Sequence, residues 1–230
     1  MPSIAINQSS LALFGERWGA LNRRLSRTPP HSSGQLGGLF DRAVGDAVAA
    51  MLGQIPIIAP NPNALTPPQA DCVEVGPVRI IGGVRPQNFD VGYRPDGVRF
   101  AFDSKTLNDS ESIGKNWQNM INDLATEATT VHSRFPHAVV GFMVIYPEPC
   151  VSVSQRSATT ETLERLARRT SVDGADYMAE AISLVLWNPA DGSIDPTIPD
   201  PSSPLRIERF SEQIEAAYTS RYKGLPPHAA

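Results

Sequence analysis

The chain has 230 residues, which is enough for one domain with a sizeable core. It is 41% hydrophobic and 19% charged, a composition that excludes global disorder. Its net charge of −4 argues against a large, uniformly basic nucleic-acid-binding surface. The basic residues are 17 arginines and only three lysines: Lys105, Lys115 and Lys223. Because lysine is so rare, the surroundings of each one are informative.

Cys72 and Cys150 are too few and too far apart for a disulfide framework or a cysteine zinc site. No apolar run reaches the roughly 18 residues of a membrane span. The first residues also lack the charged-then-apolar order of a signal peptide. We therefore expect a cytoplasmic protein with no membrane partner.

Two amphipathic helices are predicted at the N-terminus. Apolar residues recur at helical spacing from Leu11 to Leu21 and again from about Gln35 to Leu52. Residues 53–70 contain five prolines and indicate an ordered connection. We interpret residues 1–55 as a helical part of one domain.

From about residue 71 the pattern changes to β-prone segments. Alternating runs over 88–94 and 98–105 flank Asp96-Gly97, which is a strong hairpin signal. The later predicted elements are a helix over 112–133, a strand over 138–146, a helix over 159–169, a strand over 182–187, an edge strand over 205–208 and a helix over 211–222. This order predicts an α/β fold with a mixed sheet and helices on both faces.

The hairpin carries the chemically informative residues. Asp103 and Lys105 are two residues apart on one strand, so their side chains emerge on the same face. If Asp96-Gly97 forms a two-residue loop, Asp90 lies opposite Asp103, roughly 5 Å away at Cβ. Two carboxylates this close repel each other unless a cation lies between them, and oxygen ligands suit Mg²⁺ or Mn²⁺.

A type I turn with a G1 bulge at the hairpin tip would shift the register and turn Asp90 to the other face. We choose the first register because it gathers the large apolar residues of the hairpin on one side. These residues are Phe89, Val91, Tyr93, Phe100 and Phe102.

Asp90, followed by Asp103-Ser104-Lys105 at the end of a hairpin, resembles the signature of the PD-(D/E)XK nuclease superfamily. The next helix and apolar strand are similar to those of type II restriction endonucleases, and the resemblance covers roughly residues 71–190. An acid two residues before a lysine is expected about 0.3 times by chance in this composition and occurs once, on a predicted strand. Phe89 stands where the motif has proline. Pro95-Asp96 spells the motif's first letters but lies at the hairpin tip, roughly 20 Å from Asp103.

The resemblance implies a restriction-endonuclease-like fold and a Mg²⁺-dependent endonuclease, with Mn²⁺ as a substitute, that hydrolyses double-stranded DNA. It implies that Asp90, Asp103 and the main-chain carbonyl of Ser104 hold the metal, and that Lys105 orients or helps deprotonate the attacking water. It also implies an extra upstream acid. The candidates are Glu74, which we include in the site, Asp46 and Asp41.

The start of the long helix is a predicted DNA-phosphate contact, through Lys115, Asn116 and Asn119, because helix N-termini favour anions. Gly114-Lys115 lacks the preceding glycine of a P-loop, so we expect no nucleotide cofactor. The arginine-rich end of the first helix, Arg17, Arg23, Arg24 and Arg27, is either a solvated face or a DNA contact. We favour the solvated face.

We expect a type II restriction enzyme that acts as a homodimer, since cutting both strands of a palindrome suits two-fold symmetry. The single nuclease domain would span 1–230, with a catalytic core at 71–190 and a C-terminal strand and helix at 205–223. A structure-specific repair or recombination nuclease is one alternative. A non-catalytic DNA-binding domain, in which Asp103 and Lys105 form a surface ion pair, is the other.

Overall fold

The computed structural model describes residues 1–111 and 113–225, which contain five α-helices and one six-stranded mixed sheet. The helices are α1 (Gln8–Ala20), α2 (Ser33–Met51), α3 (Ile113–His132), α4 (Val153–Leu166) and α5 (Ile207–Tyr222). The strands are β1 (Ile57–Ile58), β2 (Val73–Ile81), β3 (Pro86–Tyr93), β4 (Phe100–Thr106), β5 (Val139–Pro147) and β6 (Ala181–Trp187). The predicted α/β class is confirmed.

The strands follow one another in space in chain order, from β1 to β6. β2, β3 and β4 form an antiparallel meander, whereas β5 and β6 run parallel to β4. Parallel neighbours need crossover connections, and α3 and α4 provide them. The carboxyl ends of β4, β5 and β6 therefore meet at one edge of the sheet.

Two apolar cores cover the two faces of the sheet. One core joins α1, α2 and α5 to the sheet, and the other joins α3 and α4 to it. All residues of β5 and β6 are buried, as expected for parallel strands covered on both sides. No helix in residues 1–111 and 113–225 combines the length and the apolar character that crossing a membrane requires.

Three element predictions need correction. β1 lies inside the proline-rich connection, where two residues give too short a pattern to detect. α4 begins at Val153 rather than at residue 159, because Ser152 and Gln155 form a capping box. The predicted edge strand over 205–208 is wrong, since α5 already begins at Ile207. The predicted first residue of the long helix, Ser112, lies outside the described residues.

Candidate active site

The register between β3 and β4 determines where the acidic residues of the hairpin lie. Val91 lies opposite Phe102 and Tyr93 opposite Phe100, which confirms the predicted register. The predicted two-residue loop is wrong: residues 94–99 connect the strands, and the Arg99 N–H donates to the Tyr93 carbonyl at 2.9 Å.

β3 separates from β4 just where the acidic residues begin. On the N-terminal side of Val91, β3 stays paired only with β2, and the register of that pairing shifts at a bulge between Val75 and Val78. Gly76 lies in this bulge with φ +132°, a conformation that a side chain would strain. Phe89 packs in the core under α3, whereas Val91 packs in the other core, contrary to the prediction.

The separation of the strands gives Asp90 its place. The Ser104 N–H points toward β3 but has no strand partner there, and it donates to Asp90 Oδ2 at 2.9 Å. The Ser104 hydroxyl is 3.2 Å from the same oxygen. In a strand, the N–H and C=O of one residue point to the same side, so the Ser104 carbonyl also points toward this gap.

Asp103 and Lys105 lie beside Asp90. The Asp103 carboxyl group is close enough to Asp90 to raise the pKa of Asp90, and the Lys105 ammonium donates to Asp103 Oδ2. The same ammonium donates to Glu127 Oε1 of α3 at 2.7 Å. The Lys105 side chain is 22% exposed, so the cluster is reached from solvent through Lys105.

Asp41 of α2 is the third aspartate of the cluster. Its carboxyl group lies near the Ser104 side chain and interacts electrostatically with Asp90. Its Oδ1 is buried and has no hydrogen-bond partner within residues 1–111 and 113–225. One turn earlier, a Cβ at Gly37 would lie 3.1 Å from Ser104 Oγ, so α2 approaches β4 closely there.

The surroundings of the three aspartates disfavour their charged forms. Burial raises the pKa of Asp90 well above its ordinary value, and Asp103 raises it further. Burial and the charge of Asp90 have the same effect on the pKa of Asp41. Burial raises the pKa of Asp103 to about 6, against the lowering effects of Asp90 and Lys105.

At Lys105, nearby charges outweigh the effect of burial on the pKa. Burial alone would lower its pKa, but the carboxylates of Asp103 and Glu127 outweigh burial, so the net shift of the Lys105 pKa is upward. An ammonium between two carboxylates is well placed to donate hydrogen bonds to a third anion at the exposed side.

The donor set fits a divalent cation. Carboxylates that repel one another and an unpartnered Asp41 oxygen are the groups that such an ion stabilises. No group of three or more His, Cys, Asp or Glu side chains in the described parts of the chain is arranged to hold a metal ion. A cation here would therefore also need main-chain oxygen and water, as Mg²⁺ commonly does.

The structure does not bring Glu74 to this cluster. Its two oxygens accept hydrogen bonds from Arg94 Nε at 2.6 Å and Nη2 at 2.8 Å, and both side chains are almost fully buried. Asp46, the other upstream candidate, forms an exposed pair with Arg42 at 3.0 Å. Of the three upstream acids, Asp41 alone contacts the site.

Lys115, Asn116 and Asn119 are exposed in the first two turns of α3. Asn116 precedes Glu127 by eleven residues, roughly 16 Å along the helix axis. The predicted DNA contacts therefore lie outside the cluster, toward the exposed start of the helix.

Sequence reasoning missed Glu127. A signal was present, because this acid lies within the apolar stripe of α3, between Leu124 and Val131. A buried acid in such a stripe requires a buried partner, and the rarity of lysine made Lys105 the obvious one.

No family model, curated protein or solved structure matches this chain. The function therefore has to be inferred from the residues themselves.

Proposed function

We propose that the protein is a Mg²⁺-dependent endonuclease that hydrolyses phosphodiester bonds of double-stranded DNA. The observation that carries the proposal is the gathering of Asp90, Asp103 and Lys105 where β3 leaves β4. Two acids and a lysine in this order on a hairpin have the pattern of the PD-(D/E)XK nucleases. The mixed sheet between helices is consistent with a restriction-endonuclease-like fold.

Asp90, Asp103 and the Ser104 carbonyl would hold the metal, with Asp41 adjacent. The bound ion would supply Lewis-acid polarisation of the phosphoryl oxygen and a water of lowered pKa. Mn²⁺, which accepts the same oxygen ligands, would substitute for Mg²⁺.

Lys105 would act as a positioned cation. Glu127 and Asp103 fix its ammonium from two directions, so the donor that remains can orient the attacking water or the scissile phosphate. Lys115, Asn116 and Asn119 would bind a phosphate farther along the same strand, because the distance along α3 separates them from the cluster.

Within this class we favour a type II restriction enzyme that acts as a homodimer, since two copies related by a two-fold axis would cut both strands of a palindrome. No nucleotide cofactor is required, because the metal and bound water would complete the chemistry.

The direct test is plasmid cleavage. Supercoiled plasmid and phage DNA are incubated with Mg²⁺ and with wild type, Asp103→Asn or Lys105→Ala. We expect discrete fragments from the wild type and at least a hundredfold less cleavage from either variant. Asp173→Asn, an exposed acid outside the cluster, is the matched control and should cut like the wild type. Equal cleavage by all four proteins would refute the site.

The form of the products separates the alternatives. A smear, or cleavage confined to branched DNA, would favour a repair or recombination nuclease. A non-catalytic domain would cut nothing, and Mg²⁺ would leave its melting temperature unchanged, whereas a metal site stabilises the folded state by mass action. The Mg²⁺-induced rise in melting temperature should be smaller in Asp41→Asn, which removes one of the grouped carboxylates.

A further inference from the structure

The segment between α1 and α2 carries three exposed arginines, Arg23, Arg24 and Arg27. We call residues 22–27 the arginine loop. In sequence this loop is about 80 residues from Lys105, and nothing in its composition connects it with the candidate active site.

Hydrogen bonds attach the arginine loop to the chain that leaves β4. Trp18 Nε1 donates to the Asn108 carbonyl at 2.7 Å, and the Leu25 N–H donates to Asn108 Oδ1 at 3.2 Å. The Ser110 N–H donates to the Arg23 carbonyl at 3.1 Å. Trp18, Leu25 and Asn108 are buried, so the attachment is part of the fold rather than a passing surface contact.

This attachment places the arginines close to the reacting centre. Asn108 follows Lys105 by three residues, so their Cα atoms are at most about 10 Å apart. Double-stranded DNA carries about one phosphate charge per 1.7 Å of axis, or about six over 10 Å. A duplex with one phosphate at Lys105 therefore has others within reach of the loop.

The ion pair that Arg24 forms can give way to a phosphate. Arg24 Nε is 3.7 Å from Asp109, and the Arg24 side chain is 70% exposed. Exposed ion pairs of this kind contribute only about 0–1 kcal/mol, so a phosphate can replace Asp109 at small cost. The Arg23 guanidinium stacks on the Trp18 ring at 5.2 Å, which holds it at the loop surface.

We infer that the arginine loop binds backbone phosphates of the DNA beside the scissile bond. The inference rests on the proposed function for its ligand and goes beyond it by assigning the positioning surface. It takes the DNA-contact alternative for these arginines rather than the solvated face that the sequence favoured. The contacts would be independent of base sequence, because arginine–phosphate contacts fix register and orientation without reading bases.

The test measures how duplex affinity depends on salt. The variant Arg24→Ala/Arg27→Ala is compared with the control Arg165→Ala/Arg168→Ala. Arg165 and Arg168 are exposed and lie at and just after the end of α4, on the side of the sheet where β6 begins. Both pairs are made in an Asp103→Asn background so that the DNA stays intact. Fluorescence anisotropy with a labelled duplex gives Kd from 50 to 300 mM NaCl, and circular dichroism verifies folding.

We expect Arg24→Ala/Arg27→Ala to bind at least tenfold more weakly at 100 mM NaCl. The slope of log Kd against log salt should fall by about 1.8, or 0.9 for each lost phosphate contact. The α4 pair should match its background. An unchanged slope in a folded, DNA-binding protein overturns the inference alone. If the background and the wild type bind no duplex at all, the inference falls together with the proposed function.

Discussion

Lys105 is held between two carboxylates that come from different elements, Asp103 on its own strand and Glu127 on α3. One carboxylate would leave the long side chain free to rotate about its remaining torsions. Two carboxylates fix the position of the ammonium, at the cost of burying Glu127, which is 4% exposed. The second acid thus acts through Lys105 rather than on the substrate.

Glu127→Gln tests this positioning role. The amide keeps the shape of the side chain but removes its charge, so the charge-assisted hydrogen bond to Lys105 weakens. We expect kcat for DNA cleavage to fall about ten- to a hundredfold, equivalent to about 1.4–2.8 kcal/mol, with KM nearly unchanged. Steady-state cleavage kinetics measure both quantities.

Asp123→Asn, an exposed acid one turn earlier on α3, is the control and should cleave normally. A rise in KM with constant kcat would show that Glu127 contributes to binding and would contradict the assignment.

At the scale of the elements, a buried ion pair joins the end of β3 to the start of β2. Arg94 binds both oxygens of Glu74, and its Nη1 also donates to the Arg79 carbonyl at 2.7 Å and to the Ala64 carbonyl at 3.3 Å. One guanidinium thereby fixes two strands and the proline-rich connection on the far side of the meander. The ion pair therefore supports the hairpin that carries Asp90.

Glu74→Gln should therefore affect stability rather than chemistry. Removing one partner of a buried pair leaves an uncompensated charge, and we expect the free energy of unfolding to fall by about 3–5 kcal/mol. Urea denaturation measures the loss, and cleavage per folded molecule should remain normal at low temperature.

Asp46→Asn breaks the exposed pair with Arg42 and should change stability by less than about 1 kcal/mol. Lost cleavage in Glu74→Gln with undiminished stability would return Glu74 to the active site.

At the scale of the whole molecule, Glu180 ties the carboxyl-terminal half together. Its buried carboxylate accepts from the Val140 N–H at 2.7 Å, Arg169 at 3.1 Å and Arg221 at 2.7 Å. His132 Nε2 lies 3.2 Å away. These partners belong to β5, the segment after α4, α5 and α3, so one carboxylate connects both faces of the sheet.

This network predicts an acid-sensitive fold. Burial opposes the charge on Glu180, but His132, Arg221 and the Val140 N–H outweigh it and lower the pKa of Glu180. Because the folded value lies below the ordinary 4.5, the network stabilises the protein above about pH 4.5. The stabilisation is lost as the pH falls through the folded pKa.

Glu180→Gln should therefore lose at least about 3 kcal/mol of unfolding free energy at pH 7. Its difference from the wild type should shrink below pH 4.5, as urea denaturation at pH 7, 5, 4 and 3 would show. Glu161→Gln, an exposed acid on α4, should give no such trend. A difference that stays constant down to pH 3 would mean that the Glu180 charge is not what stabilises the fold.

Much of the fold could be predicted because its signals are local. The amphipathic stripe of α3 and the unbroken apolar run of β5 each lie within one element. The short β1 and the capping box of α4 give weaker patterns. β1 was therefore missed, and the start of α4 was predicted at residue 159 instead of Val153.

The candidate site also has a part that local sequence signals predict and a part that they do not. The alternation of β4 by itself determined that Asp103 and Lys105 share a face, because strand periodicity is a local property. The position of Asp90 depended on where β3 separates from β4. Only the tertiary structure decided that Asp41 joins them and Glu74 does not, and that Glu127 meets Lys105. The reason is physical. Which side chains meet between α2, α3 and the sheet depends on how the helices pack and on the bulge in β2.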